Sequence, residues 1–179
     1  TLVLFRRILE LTGKKTIAEV WPNLELYLHG GVSFVPYRDQ FEMTIGKPIN
    51  YLETYNASEG FFAAQDKPGE EGMLFFADHG IFYEFMPVEE YGKPFPNTIG
   101  LDKVETGKNY ALIISTNGGL WRYLVGDTVQ FTSLHPFRIK VSGRLKHFIN
   151  AFGEELIVDN TDKAIATACE QTGAVVNDY

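Results

Sequence analysis

The chain has 179 residues, of which 45% are hydrophobic and 22% charged, the balance of an ordinary globular protein with enough length for one core and part of another. A formal net charge of −7 and the lack of any Lys/Arg run exclude the basic surface that nucleic acid or an anionic membrane requires. Cys169 is the single cysteine, which excludes a disulfide framework, and no apolar run is long enough to span a bilayer, so a reducing, cytoplasmic setting is expected.

Thr1 is not an initiator methionine and the opening residues already read as a helix in progress, so an internal piece of a longer protein is expected. Leu2, Phe5, Ile8, Leu9 and Leu11 recur at helical spacing with Arg6, Arg7 and Glu10 opposite, and Thr12-Gly13 closes that helix. Residues 16–19 predict another short turn. Leu24-Glu25-Leu26-Tyr27-Leu28 alternates and runs into Gly30-Gly31, the pattern of a strand meeting a tight loop. Residues 36–43 predict a helix with Tyr37 and Phe41 inward, and residues 49–55 a second strand. Together these make a β-α-β crossover and hence a parallel pair.

From Met73 the pattern changes to short strands in succession. Residues 73–77 and 81–86 are joined by Asp78-His79-Gly80, a hairpin signal; residues 110–116 and 120–125 are joined by Asn117-Gly118-Gly119, a stronger one. Residues 128–132 and 138–142 add two more. Strands without intervening helices predict a small antiparallel sheet or partial barrel packed on the parallel part, a mixed α/β fold. Gly92, Pro94, Pro96 and Gly100 mark residues 89–103 as a surface loop. Asp159 opens a last helix that Gly173 stops, and Ala174-Val175-Val176 opens a further strand.

Three stretches are candidates for chemistry. Tyr55-Asn56-Ala57-Ser58-Glu59-Gly60 lies where a strand of the parallel pair ends, the place where open α/β sheets bind ligands. Its ring can stack on a base, its hydroxyl can bond a phosphate, and its carboxylate can hold Mg²⁺; equally, Ser58 suits a helix N-cap in a plain turn. Asp127, after Gly126 in Trp121-Arg122-Tyr123-Leu124-Val125-Gly126-Asp127, can accept both hydroxyls of a ribose, or it belongs to an ordinary Gly-Asp turn between strands. In Ser142-Gly143-Arg144-Leu145-Lys146, Arg144 can reach a phosphate or ribose and Lys146 can mark a hinge, or both are solvated cations of a surface turn. The four histidines, His29, His79, His135 and His147, show no metal-ligand spacing.

The order of these stretches carries more than any one of them. A strand with a Gly-Gly loop, then aromatic-x-x-Ser-Glu, then Tyr-x-x-Gly-Asp, then Gly-Arg-x-Lys resembles the adenylate-forming superfamily. Within it, Tyr55-Asn56-Ala57-Ser58-Glu59 and residues 121–129 are most similar to the acyl-acid amido synthetases, the Gretchen Hagen auxin-responsive family. Residues 80–87 and 143–156 resemble its bacterial members. The resemblance runs from about Trp21 to the end.

This resemblance implies an ATP- and Mg²⁺-dependent ligase that adenylates a carboxylic acid and passes the acyl group to an amine. It implies that Gly30 and Gly31 pass near the adenine and acyl pocket, Thr54 and Tyr55 line the adenine site, and Ser58 sits near the phosphates. Glu59 would help bind Mg²⁺ as a catalytic residue, Asp127 would hold the ribose, Arg144 would contact the ribose or phosphate side, and Lys146, the second residue assigned a catalytic part, would stand at the domain hinge. Residues 1–72 would then belong to the parallel nucleotide-binding portion, 73–145 to an antiparallel β subdomain, and 146–179 to the hinge and an incomplete C-terminal subdomain. Leu124 departs from the Arg usual in plant members, and the Gly/Ser/Thr-rich phosphate loop of the family does not occur in these residues. Part of a nucleotide site, inactive alone, is therefore the expectation. A thioester-forming ligase with a thiol acceptor, and a non-catalytic scaffold retaining the fold, are the competing readings. Phe34, Tyr37, Phe61 and Phe62 are candidates for an acyl pocket or for simple core.

Overall fold

The computed structural model describes residues 1–31, 34–145, 149–151, 154–156 and 158–174. The amphipathic opening segment forms helix α1 (Leu2–Thr12), followed by the single turn α2 (Ile17–Val20), strand β1 (Leu26–His29), helix α3 (Arg38–Ile45) and strand β2 (Asn50–Ala57). Phe5 of α1, Ile17 of α2 and Phe41 and Ile45 of α3 bury themselves against one another, and Tyr27 and Tyr51 of the two strands pack on that cluster. The strands are parallel, in register from Leu26 opposite Asn50 to His29 opposite Glu53, as the β-α-β pattern requires.

After β2 the chain reverses at Ser58-Glu59 into β3 (Gly60–Ala64), antiparallel to β2. The reversal is a hairpin, so Ser58 caps no helix, and β3 itself is a strand that the sequence pattern did not predict. Then come β4 (Met73–Phe75), β5 (Ile81–Pro87), β6 (Asn109–Thr116), β7 (Tyr123–Leu134) and β8 (Phe137–Arg144). All eight make one sheet in the order β1-β2-β3-β4-β8-β7-β6-β5. The antiparallel strands thus continue the parallel pair edge to edge rather than packing on it.

Two expected connections differ. β4 and β5 exist but form no hairpin: β4 pairs with β3 and β8, and β5 pairs with β6. Residues 120–125 and 128–132 are not two strands separated by a Gly-Asp turn but parts of the single long β7. Gly126 (φ 93°) lies in a bulge there, where the register against β6 shifts between Ala111 and Ile113. The 117–119 turn does join β6 to β7.

Although β4 and β5 lie four places apart in the sheet, the rings of Phe75 and Tyr83 have centroids 4.6 Å apart. The sheet therefore rolls into a partial barrel. Its inner face holds Tyr55, Phe62, Phe75, Phe85, Tyr110 and Phe131, with Phe85 and Phe131 at 5.1 Å and Tyr55 and Phe62 at 5.0 Å. Edge and tilted ring pairs of this kind each contribute about 0.5–1.5 kcal/mol beyond their buried area. The outer face of β5 and β6 is covered by a smaller cluster that includes Met86, Val88 and Leu145. Between β5 and β6 the chain runs over the surface, as its glycines and prolines predict, with short 3₁₀ turns at Val88–Glu90 and Leu101–Lys103. An antiparallel pair, β9 (Ile149–Ala151) and β10 (Glu154–Leu156), and helix α4 (Val158–Thr172) follow. Gly173 closes α4 by donating its amide to Cys169 O at 2.8 Å, while Val175 and Val176 of the expected further strand lie outside the described residues. Among the described residues, no helix is long and apolar enough to cross a membrane.

Candidate functional site

An open cleft of about 1490 Å³ lies where the parallel pair meets the barrel. It is larger than the 300–1,000 Å³ typical of a small-ligand pocket and open to solvent. Its floor is the end of β2 with the Ser58-Glu59 turn, one wall is the β1 end with Gly31 and Phe34, and the opposite wall is Val125 and Asp127 of β7 with residues 140–144 of β8.

Three distant segments converge here. Asp127 and Arg144 are direct cross-strand partners on β7 and β8, and Arg144 Nε stands 3.0 Å from Asp127 Oδ1. The Asp127 side chain is only 12% exposed whereas that of Arg144 is 70% exposed, so the guanidinium covers the carboxylate from the solvent side. From below, the Tyr55 hydroxyl donates to Asp127 Oδ2 at 3.0 Å. Burial, and then the neighbouring Asp127 charge, push the Tyr55 phenol far above its ordinary pKa, so it stays a proton donor. Next to this group, Ser142 donates to Thr128 Oγ1 at 3.0 Å, which uses both buried hydroxyls inside the β7–β8 ladder.

Four residues beyond Tyr55 and four residues before Asp127, the arrangement repeats with the roles exchanged: the Tyr123 hydroxyl of β7 donates to Glu59 Oε1 at 3.1 Å. Glu59 sits half-buried at the tip of the β2–β3 turn and lines the cleft. Tyr123 belongs to a quoted motif, but sequence reading assigned it no role. Its spacing of four from Asp127, matching that of Glu59 from Tyr55, is the signal that points to it.

The other expected residues are placed as follows. Thr54 borders the cleft and its hydroxyl donates to His29 O at 3.2 Å, tying β2 to the end of β1. Gly30 packs so closely on β2 that a Cβ there would lie 2.3 Å from Thr54 O. Ser58 lines the cleft beside Glu59. The Tyr55 ring is 5% exposed and packs on Phe62, so it offers the cleft no open face for stacking a base. Lys146 lies outside the described residues. Of the proposed acyl-pocket residues, Phe34 and Tyr37 border the cleft, whereas Phe62 is fully buried in the barrel and Phe61 packs outside it on Phe76. His29, stacked on Phe34 at 4.4 Å, also borders the cleft. Burial, and then the Arg38 charge, lower its pKa, which keeps the imidazole neutral.

No group of three or more His, Cys, Asp or Glu side chains converges among the described residues. A lone, half-buried carboxylate such as Glu59 does not build an all-protein cage. It does suit Mg²⁺, which usually keeps waters and binds through one or two carboxylates plus substrate phosphates.

Residues 1–49 match the GH3 family N-terminal domain and residues 74–144 match the GH3 family central domain. The chain belongs to the GH3 family. Among its relatives, indole-3-acetic acid-amido synthetase GH3.4 of Arabidopsis thaliana is 31% identical over 130 residues, covering 66% of this GH3 chain and 21% of the relative. Jasmonoyl–L-amino acid synthetase GH3.5 of Oryza sativa subsp. japonica is 29% identical over 135 residues, covering 66% and 23%. The GH3 chain thus spans less than a quarter of the length of either. Its fold is that of AtGH3.15 acyl acid amido synthetase, solved in complex with 2,4-DB, at a TM-score of 0.68 and 20% identity, covering 90% of this chain and 29% of that one. Coronafacic acid ligase from Pectobacterium brasiliense is more distant, with a TM-score of 0.52 and 14% identity, covering 96% and 33%.

Proposed function

We propose that this chain carries one face of the nucleotide site of an ATP-dependent, adenylate-forming ligase of the cytoplasm. The observation that supports this reading best is the convergence, in one cleft, of Ser58 and Glu59 from the β2–β3 turn with the Asp127–Arg144 pair from β7 and β8. These are the residues that the motif order assigns to phosphate, metal, ribose and ribose or phosphate.

In the proposed reaction a substrate carboxylate oxygen attacks the α-phosphorus of ATP, the bond to the bridging oxygen breaks, and pyrophosphate leaves. An amine nitrogen then attacks the acyl carbon, loses its proton, and AMP departs, giving an amide. Asp127, held by Tyr55 and Arg144, accepts the ribose hydroxyls and fixes the nucleotide. Arg144 is exposed enough to turn its remaining N–H groups toward a phosphate. Ser58 donates to a phosphate oxygen. Glu59 supplies the carboxylate for Mg²⁺, which when bound offsets phosphate charge. Lys146, two residues beyond Arg144, is assigned the hinge. The protein's contribution is positioning and electrostatics rather than covalent chemistry.

Calorimetry with ATP and Mg²⁺ on the whole protein tests this reading, followed by pyrophosphate exchange with a panel of carboxylic acids. The expected result is binding that Asp127→Ala abolishes and exchange that Glu59→Ala lowers by about 10²–10³-fold. Amino acids or coenzyme A, offered after adenylation, then separate an amide-forming from a thioester-forming ligase. A folded whole protein that binds no nucleotide would sink the ligase reading in favour of a scaffold.

A further inference from the structure

Glu59 stands, half-buried, at the tip of the two-residue turn between Ala57 and Gly60, outside the β2–β3 ladder. The described contact that restrains the carboxylate comes from Tyr123. Tyr123 is itself aimed by an unusual piece of backbone. Arg122, the residue before it, has φ 46°, the one non-glycine residue with positive φ among the described residues. An L side chain held in the left-handed region costs about 1–2 kcal/mol and needs surroundings that enforce it. They are present: the Arg122 guanidinium donates to both oxygens of Glu84 at 2.9 and 3.0 Å and to Thr98 Oγ1 at 3.2 Å. Its amide donates to Ser115 Oγ at 2.9 Å. β5, β6 and the loop at Thr98 therefore grip Arg122, and the backbone reversal they enforce sets where Tyr123 points as β7 begins.

We infer that Tyr123 is a positioning residue for Glu59: its hydroxyl engages one carboxylate oxygen and presents the group to a phosphate-bound divalent cation in a single orientation. The parallel with Tyr55 and Asp127 supports this. Both carboxylates assigned to the nucleotide are held by a tyrosine from the facing segment, four residues apart on each. The inference rests on the nucleotide-site reading, and it extends that reading from the groups that would touch MgATP to the clamp that aims one of them.

The test is the affinity of the whole protein for ATP, measured by calorimetry with Mg²⁺ and again with EDTA, for the wild type, Tyr123→Phe, Glu59→Gln and the double variant. Tyr123→Phe is expected to weaken binding about tenfold in Mg²⁺, the range seen when a carboxylate's outer partner is lost, and to leave binding in EDTA unchanged. In the Glu59→Gln background the tyrosine substitution is expected to have no further effect. Equal affinity of wild type and Tyr123→Phe in Mg²⁺, or a loss of the same size with and without Mg²⁺, overturns the positioning role while the nucleotide site stands. Absence of ATP binding by the folded wild type overturns the nucleotide site and this inference with it. If Tyr123→Phe fails to fold, Arg122→Gly carries the same comparison. It keeps the hydroxyl and tolerates the backbone but releases the grip, so a Mg²⁺-dependent loss supports the inference and an unchanged Mg²⁺ dependence overturns it.

Discussion

Tyr55 and Asp127 are 72 residues apart in sequence, yet the phenol of one donates to the carboxylate of the other at 3.0 Å through the edge of the barrel. The bond places a buried carboxylate under the open cleft with one oxygen satisfied from inside and the other covered by Arg144. Tyr55→Phe keeps the ring against Phe62 and removes only the donor. It is expected to lower stability by about 2 kcal/mol in urea denaturation, the scale of a hydrogen bond to a charged group. An unchanged midpoint would mean that water replaces the phenol and that the bond is dispensable for folding.

Gly30 and Gly31 are expected to respond differently to alanine, although they are neighbours. At Gly30 the new Cβ would lie 2.3 Å from Thr54 O, a backbone atom of the adjacent strand, so β1 has to move away from β2. A cost of about 1–3 kcal/mol follows, with a loss of nucleotide affinity because Thr54 borders the cleft. At Gly31 nothing lies within 4 Å and the cost is the strain of φ 86° alone, about 1 kcal/mol. Thermal unfolding of the two variants side by side checks the order.

Arg138 ties β8 to the 65–72 loop. Its guanidinium is 2% exposed, donates to Asp66 at 2.6 and 3.1 Å, and lies 3.2 Å from Glu70. Arg138→Met preserves bulk and removes both pairs, at an expected cost of about 3 kcal/mol, the low end for buried pairs because Asp66 and Glu70 keep part of their hydration. The Arg138 hydrogen bond holds the Asp66 carboxyl below its ordinary pKa. A depressed folded value stabilises the fold above the unfolded value and loses that stabilisation as pH falls through the folded one. The gap between wild type and variant is therefore expected to be full at about pH 7 and to shrink below about pH 4. A gap independent of pH would assign the effect to packing.

Glu53 carries the opposite sign. Burial raises its carboxyl above the ordinary value in the wall of the cleft. A raised folded value favours the fold fully below the unfolded value, and that contribution is lost as pH rises through the folded one. Glu53→Gln, which does not titrate, is thus expected to gain stability relative to wild type between about pH 4 and pH 7. Denaturation midpoints at the two ends of that range check it; a relative loss with rising pH would show that the charged form is stabilised by a partner.

Much of the fold was legible because its signals are local. The α1 stripe, the β-α-β pattern around Tyr27 and Tyr51, and the Asn117-Gly118-Gly119 turn each lie within a window of a few residues. Pairing between distant strands was not. Asp78-His79-Gly80 has the chemistry of a hairpin turn, but the partners of β4 are β3 and β8, and no short window contains that choice. Gly126 misled for a related reason: a turn and a bulge both call for a residue at positive φ, so the same glycine marks either. β3 was missed because Gly60-Phe61-Phe62-Ala63-Ala64 lacks β-branched alternation, and its strand character comes from ladders to β2 and β4.

The sequence by itself determined the family resemblance, the identity of the candidate residues and most of the elements, since motif order and short-range periodicity are written along the chain. Only the tertiary structure decided that Tyr55 turns its ring into the core and its hydroxyl to Asp127, that Arg144 covers that carboxylate, and that Tyr123 reaches Glu59. Those relationships depend on how a rolled sheet brings β2 against β7, and that is set by burial of the aromatic interior shared among seven strands rather than by any one segment.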